Sequence, residues 1–557
     1  SSYYGFNKTG VNYCSWTFRK AEGFFYQEEV VKASSVTKTV DLSSLGTVGM
    51  VAVKRTDATG AWYVWHRSAT TGDLLYLNTA AAETLDGSIT MSGTTLSLVN
   101  GTIADGTYMV YAWAHDAQQF GADGDESIVK CGVTTVSSAT GETFVDLGFE
   151  PQWILTKYNK ANYNWNLYDT MRGWIDTPAA GNKNKRLSPN TSTSETGDKT
   201  FQPYASGFKY QHSETYPGST TDIVYIAIRR PMKVPESGTE VYNNLANRIG
   251  TSAAATISGV GFAVDLMIPF AENTGSSKPF VDRLRGATRY LLPPYGNAEQ
   301  TTTDAVTSFA SNDGVLVGAD ASLQVINNYY NSSRRYAASF FKRASGFMDV
   351  VCWKGDGTSN GSHKPAHGLT VVPQFIISKV RDAADNWACL QSEAVGGAVY
   401  IMLNNTTGGN AGSLKYYYGD GTNYVPPTSS VFTVTTGGSL NVSGKAYVSY
   451  LFATLAGVSK VGSYTGTGAD LNVDCGFTAG ARFILIKRTD SAGDWYMWDS
   501  ARGINAGNSP YLIINTTGAS VTNTDYIDPL NAGFTVTSTA PAAINASGGS
   551  YIFLAIA

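Results

Sequence analysis

Five histidines give this chain little to build chemistry on, and only one pair of them is spaced to share a ligand. His363 and His367 stand four apart, a spacing that grips zinc when both imidazoles ride one face of a helix. Their surroundings, Gly361-Ser-His-Lys-Pro-Ala-His-Gly368, read as a loop, so no zinc site is expected. The chain has no His-Glu-x-x-His, no Gly-x-Ser-x-Gly in a strand–turn–helix context, and no Gly-Lys-Ser/Thr phosphate loop. A glycosidase pair of carboxylates would have to be assembled from residues remote in sequence. The Asp-Gly turns at Gly355–Thr358 and Gly419–Thr422 would hold calcium only if further oxygens converged, and they read first as hairpin turns. No catalytic residue, metal or cofactor is expected.

What does recur is a pattern repeated about every 110 residues. Lys54 is followed by Trp62, Lys157 by Trp165, Lys379 by Trp387 and Lys487 by Trp495, always at the same interval. Four residues past each Trp stands a polar side chain: His66, Asp169, Gln391 and Asp499. A further repeat has Lys278 in the Trp position and keeps only the tail of the pattern, Asp282-Arg-Leu-Arg285-Gly286. The same tail reads Asp169-Thr-Met-Arg172-Gly173 and Asp499-Ser-Ala-Arg502-Gly503. Its physical reading is a corner brace: Asp leaves a strand, Arg folds back onto it, and Gly permits the turn. Tyr329, Tyr330, Tyr416, Tyr417 and Tyr418 are candidates for surface recognition, since exposed aromatics stack on sugars or anchor protein contacts.

The elements that carry these residues are short strands. Phe483-Ile-Leu-Ile-Lys-Arg488 is an apolar run ending in charge, Asp490–Asp494 a turn, and Trp495–Asp499 the returning strand. Alternation puts Trp495, Met497 and Asp499 on one face, with Tyr496 and Trp498 on the other. Each repeat ends on a run such as Tyr447-Val-Ser-Tyr-Leu-Phe-Ala453 or Tyr551–Ala557 that is apolar almost throughout, as a central strand buried on both faces is. No segment has the periodicity of a long helix. The expected fold is all-β, a tandem array of jelly-roll-like β-sandwiches at 23–118, 119–235, 236–345, 346–456 and 457–557, packed end to end as an elongated rod. The one clear linker is Arg229–Gly238, stiffened by two prolines. Residues 1–22 match a closing strand and its junction, as at 336–347, and read as the end of a further module upstream.

Bulk composition agrees. Charged residues make up 15% of the 557, well below the usual quarter, and the net charge of −4 offers nucleic acid nothing to bind. Five cysteines at unrelated places argue against a disulfide framework and fit assembly in a reducing cytoplasm. No apolar run is long enough for a spanning helix, so membrane insertion is not expected.

Several of these pieces carry a resemblance. Lys487-Arg-Thr-Asp…Trp495-Tyr-Met-Trp-Asp-Ser-Ala-Arg-Gly503, Asp282–Leu291, Phe347–Gly357 and Tyr551–Ala557 resemble repeats in structural proteins of tailed bacteriophages, above all marine and cyanobacterial ones. Ile226–Val241 resembles the linker that follows such a module. The resemblance implies concanavalin-like sandwiches on a virion surface and brings no catalytic residue with it. The expected role is a non-enzymatic tail-fibre or tail-associated protein for host attachment. Its partners would be other virion proteins met through the N-terminal side, a host-surface glycan or protein, and further copies in a homotrimer. A head fibre or capsid decoration protein and a polysaccharide depolymerase are the alternatives.

Overall fold

A computed structural model describes every residue except 1–8, 10–11, 34–35, 122–123, 137–140, 177–182, 213–219, 250–252 and 327–333. The protein is all-β, with 42% strand against 4% helix, and its sheets are antiparallel. Five sheets share one order. In the last of them an opening strand, Ser459–Thr465, pairs with the closing strand Ser550–Ile556. The closing strand pairs in turn with a Lys strand, Phe483–Arg488, which pairs with a Trp strand, Trp495–Asp499. The same order of opening, closing, Lys and Trp strand recurs over 25–114, 129–229, 242–341 and 348–452. We number these stretches modules 1 to 4, and 459–556 module 5. Lys54 stands directly opposite Trp62, and Lys487 opposite Trp495, because eight residues span one tight hairpin.

A second, three-stranded sheet backs the first in modules 1, 2, 3 and 5. In module 4 that layer is irregular: Leu414 of the short helix Leu414–Tyr417, with Tyr418, Phe432, Val434 and Leu440 from turns and loops, closes the core. Modules 2 to 5 each have a core of their own, module 1's core runs on into its contact with module 2, and the main sheet's other face is apolar too. Ile484 and Ile486 point into module 5's own core with Tyr496 and Trp498. Phe483, Leu485, Trp495 and Met497 point the opposite way, into a core that modules 3, 4 and 5 share. This is why the strands read as almost unbroken apolar runs: both faces leave water.

The shared core corrects the expected rod. Modules 3, 4 and 5 do not stand in a row; module 5 returns to module 3, where Tyr242 packs on Phe483 and Phe341 on both Phe452 and Phe483. A row would leave the second apolar face of an end module in water, whereas a closed cycle of three has no end. The junction after module 3 is short: Met348–Lys354 is already the opening strand of module 4, entered through a single bridge from Ala344 to Met348. The Arg229–Gly238 linker is pinned, with Arg230 donating to Asp349 Oδ1 at 3.0 Å and to the Gly368 carbonyl at 3.2 Å.

Candidate functional site: the module interfaces

The recurring residues meet at the faces between modules. Trp387 of module 4 donates its indole N–H to the Tyr295 carbonyl of module 3 at 3.1 Å, while Lys379 Nζ reaches the Gly296 carbonyl at 3.2 Å. Module 5 repeats this on module 4: Trp495 donates to Met402 O and Lys487 to Thr406 O, both at 2.9 Å. Module 2 repeats it on module 1, with Trp165 to Tyr76 O at 2.9 Å and Lys157 to Ala80 O at 3.0 Å. Module 3 closes the cycle on module 5 with the lysine in the Trp position, Lys278, which donates to Thr516 O and Gly518 O at 2.7 Å each. Each link has related chemistry: an ammonium, joined in modules 2, 4 and 5 by an indole N–H, enters a loop of backbone carbonyls on the neighbouring module.

The polar position past the Trp links in the other direction. Asp282 accepts from the Tyr450 hydroxyl at 2.8 Å, Gln391 donates to Gly462 O at 3.2 Å, and Asp499 accepts from Asn244 Nδ2 at 3.1 Å. His66 lies 3.0 Å from the Tyr225 carbonyl. Ser68 N–H donates to its Nδ1, so Nε2 carries the proton and donates to that carbonyl. Burial draws this imidazole down to about 4, which keeps it neutral.

The Asp-x-x-Arg-Gly tail forms the brace its residue types imply. Arg502 donates backbone N–H to Asp499 Oδ1 at 3.0 Å, Nε to Oδ2 at 2.6 Å, and Nη2 to Met497 O at 3.1 Å. Arg172 makes the same three bonds to Asp169 and Leu167, and Arg285 to Asp282 and Phe280. Gly173, Gly286 and Gly503 sit at φ near +100°, a conformation that a Cβ resists. The brace fixes the Asp that the neighbouring module then contacts.

The electrostatics of these faces follow from burial. Desolvation pulls the ammonium groups of Lys157, Lys379 and Lys487 down to about 8 and that of Lys278 to about 7. Lys157 still donates to four carbonyls, Ala80, Tyr158, Ala161 and Tyr163, an arrangement that favours the ammonium over the amine. Module 2 is tied to modules 3 and 4 through two buried ionic networks. In one, Arg343 joins Glu150 and Asp349; in the other, Arg381 joins Asp176 and Glu299, which also accepts from Arg285 and Arg289. Burial opposes the Glu299 charge, but Arg381 and Arg285 outweigh it and hold the carboxyl at about 2. Asp349 is held there likewise by Arg230 and Arg343.

Other candidates fall elsewhere. Tyr418 is core, not surface: its hydroxyl lies 3.0 Å from both Ser378 Oγ and the Ala388 carbonyl. Tyr417 stacks on Tyr400 with ring centroids 3.9 Å apart, and Tyr416 alone of the three is exposed. Tyr329 and Tyr330 lie outside the described residues. His363 pairs with Asp356 at 3.1 Å, while His367 faces the Thr428 carbonyl. Asp356 and Asp420 accept hydrogen bonds from their own turns. Among the described residues no group of three or more His, Cys, Asp or Glu converges to hold a metal, and no helix is long and apolar enough to cross a membrane. All five cysteines are free thiols.

One recurring partner has no fixed spacing in the sequence. Asn78, Asn190, Asn404 and Asn515 each accept, through the side-chain oxygen, the backbone N–H of the hairpin Trp. The signal was present as Leu-Asn-Thr, Leu-Asn-Asn and Ile-Asn-Thr after the third strand, but its distance from the Trp varies from 16 to 25 residues.

One closed cycle of three interlocked sandwiches and a linked pair define an all-β modular protein. The chain belongs to the DUF7483 family, a domain of unknown function whose profile covers residues 2–230 and 239–557. Comparison with curated proteins gives no match.

Proposed function

We propose that this chain is a non-enzymatic structural protein of a bacteriophage virion, a rigid surface component in a tail fibre or beside the tail that presents loops for attachment to the host. The observation that carries this reading is where the repeated residues are spent. The Lys, the Trp, the polar residue after it and the Asp–Arg brace serve contacts between modules, which is the work of a scaffold. Five free thiols, Cys14, Cys131, Cys352, Cys389 and Cys475, fit assembly in a host cytoplasm. The resemblance of the repeats to phage structural proteins supplies the virion. Attachment would rest on many weak contacts made by many copies, with a host-surface glycan or protein as partner. A cycle of three modules in one chain also gives the threefold arrangement that fibres commonly obtain from three chains.

A polysaccharide depolymerase needs a carboxyl whose pKa is raised so that it donates a proton. A cleft of about 300 Å³ between modules 2 and 4 is lined by Glu142, Asp176 and Asp382 together with Lys199, Lys209 and Lys354. There burial is outweighed by Lys209 and Arg381, which hold Asp176 below the ordinary carboxylate range, the wrong direction for a general acid. The test is immunogold labelling of purified particles, with competition of adsorption by the recombinant chain. Label on the tail and blocked adsorption are expected. Particles without label, or release of sugar fragments from host envelope by the chain alone, would sink the reading. Label confined to the head would favour a decoration or head-fibre role.

A further inference from the structure

Four links join modules in this chain, and module 1 has a fifth set of the same residues facing no module. Among the described residues Lys54 donates only to the Gly60 carbonyl of its own hairpin at 3.0 Å, and the Trp62 indole has no hydrogen-bond partner. Both are half-buried, whereas Trp165, Trp387 and Trp495 and their lysines are at most 1% exposed. Modules 1 and 2 are linked as modules 4 and 5 are, so they repeat two of the three places of the closed cycle.

The residues ahead of module 1 occupy part of the third place. Ala21 bridges to Phe25 as Ala344 does to Met348 and Leu455 to Ser459, and those two junctions each follow a closing strand inside the complete cycle. Counting back from the bridge, Phe18 takes the position of Phe341 and Phe452. Phe18 packs on Trp113 of module 1 and Trp153 of module 2, at 5.9 and 5.8 Å between centroids. Phe341 packs in the same way on Phe452 and Phe483, at 6.3 and 5.7 Å. Trp16 takes the position of Tyr450 and donates to Asp169 Oδ2 at 3.2 Å, as Tyr450 donates to Asp282. Yet residues 12–20 belong to no sheet. A closing strand is the central strand of its module, and this one has the contacts of that place without strands beside it.

We infer that the Lys54–Trp62 edge of module 1 is a docking surface for a further β-sandwich of this same repeat, the module that residues 12–18 close, and that a second cycle is complete when it is seated. It would offer Lys54 and Trp62 a loop of backbone carbonyls, as Tyr295–Gly296 and Met402–Thr406 do in the other cycle. The family profile agrees in extent: 239–557 spans three modules, while 2–230 spans two and this segment. The inference is independent of the virion reading.

The test is amine labelling of the folded product of the complete reading frame, read lysine by lysine by mass spectrometry, with the chain starting at Ser1 beside it. In the complete product Lys54 is expected to react about tenfold or more slowly than exposed Lys38, and to join Lys157, Lys379 and Lys487 in protection. In the shorter chain it should react like Lys38. Equal reactivity of Lys54 and Lys38 in the complete product would overturn the inference. So would protection that appears only as the chains self-associate, measured by sedimentation over a range of concentrations, since the occupant would then be a second copy.

Discussion

At the scale of single residues, the Asp–Arg brace is where a small change should cost most. Arg285, Arg502 and their Asp partners are almost wholly out of water, and each guanidinium makes bonds that one Asp organises. Asp499→Ala would leave Arg502 charged in an apolar face and remove the acceptor of Asn244, so a loss of about 3–5 kcal/mol is expected in urea denaturation. A loss under about 1 kcal/mol would show the brace to be ornamental. The buried carboxylates give a second prediction, whose sign follows from their direction of shift. Glu299 is held at about 2 in the folded protein, against an ordinary glutamate value near 4.3 in the unfolded chain. Between those values the unfolded chain binds the proton and the folded one does not, so stability is lost as pH falls through that window. The melting temperature should drop steeply from about pH 4.5 to 2, and Glu299→Gln should lower it near neutral pH while flattening the acid limb. An unchanged acid limb in that variant would show that the network around Arg381 does not control acid stability. His66 works in a higher window, because its folded value near 4 lies below the ordinary one. Its contribution fades as pH falls from about 6.5 to 4.

At the scale of elements, the strands were legible and their second role was not. Alternation in Trp495–Asp499 separated Trp495 and Met497 from Tyr496 and Trp498, and the two sets do enter different cores. What alternation cannot say is whose core lies beyond a face. The carbonyl that Trp495 meets belongs to Met402, 93 positions away, and a carbonyl has no residue type to recognise. Opening strands such as Met348–Lys354 escaped notice because they start within a few residues of the preceding closing strand, with no turn cluster to mark the boundary. The Asp–Arg–Gly corner was readable because its parts are adjacent in sequence, whereas the Asn that caps each Trp hairpin comes after a loop of variable length. The link itself can be dissected by size and by donor. Trp387→Phe keeps a large ring against Phe280 but loses the bond to Tyr295, and should cost about 1 kcal/mol for that bond. Trp387→Ala adds a cavity at the same place and should cost about 3–5 kcal/mol. Equal losses in the two variants would mean that the hydrogen bond, not the packing, holds module 4 on module 3.

At the scale of the whole molecule, closure changes what a repeat protein is expected to do. In an open array each module touches only its sequence neighbours, stability is a sum of local terms, and ends fray first. Modules 3, 4 and 5 have no such end, because Asn244 and Arg482 join the first to the last, and Tyr242, Phe341, Phe452 and Phe483 pack in one core. Removing module 5 would expose the shared faces of both others at once. The cycle over residues 239–557 should therefore open as one cooperative unit. Native-state hydrogen exchange checks this directly: the closing strands Arg335–Phe341, Ala446–Phe452 and Ser550–Ile556 should report one common opening free energy. A destabilising change at Phe483 should lower all three together and by the same amount, although it lies in module 5 alone. Three distinct opening energies, with module 3 or module 4 unmoved by the Phe483 substitution, would mean that the shared core merely touches the modules without coupling them.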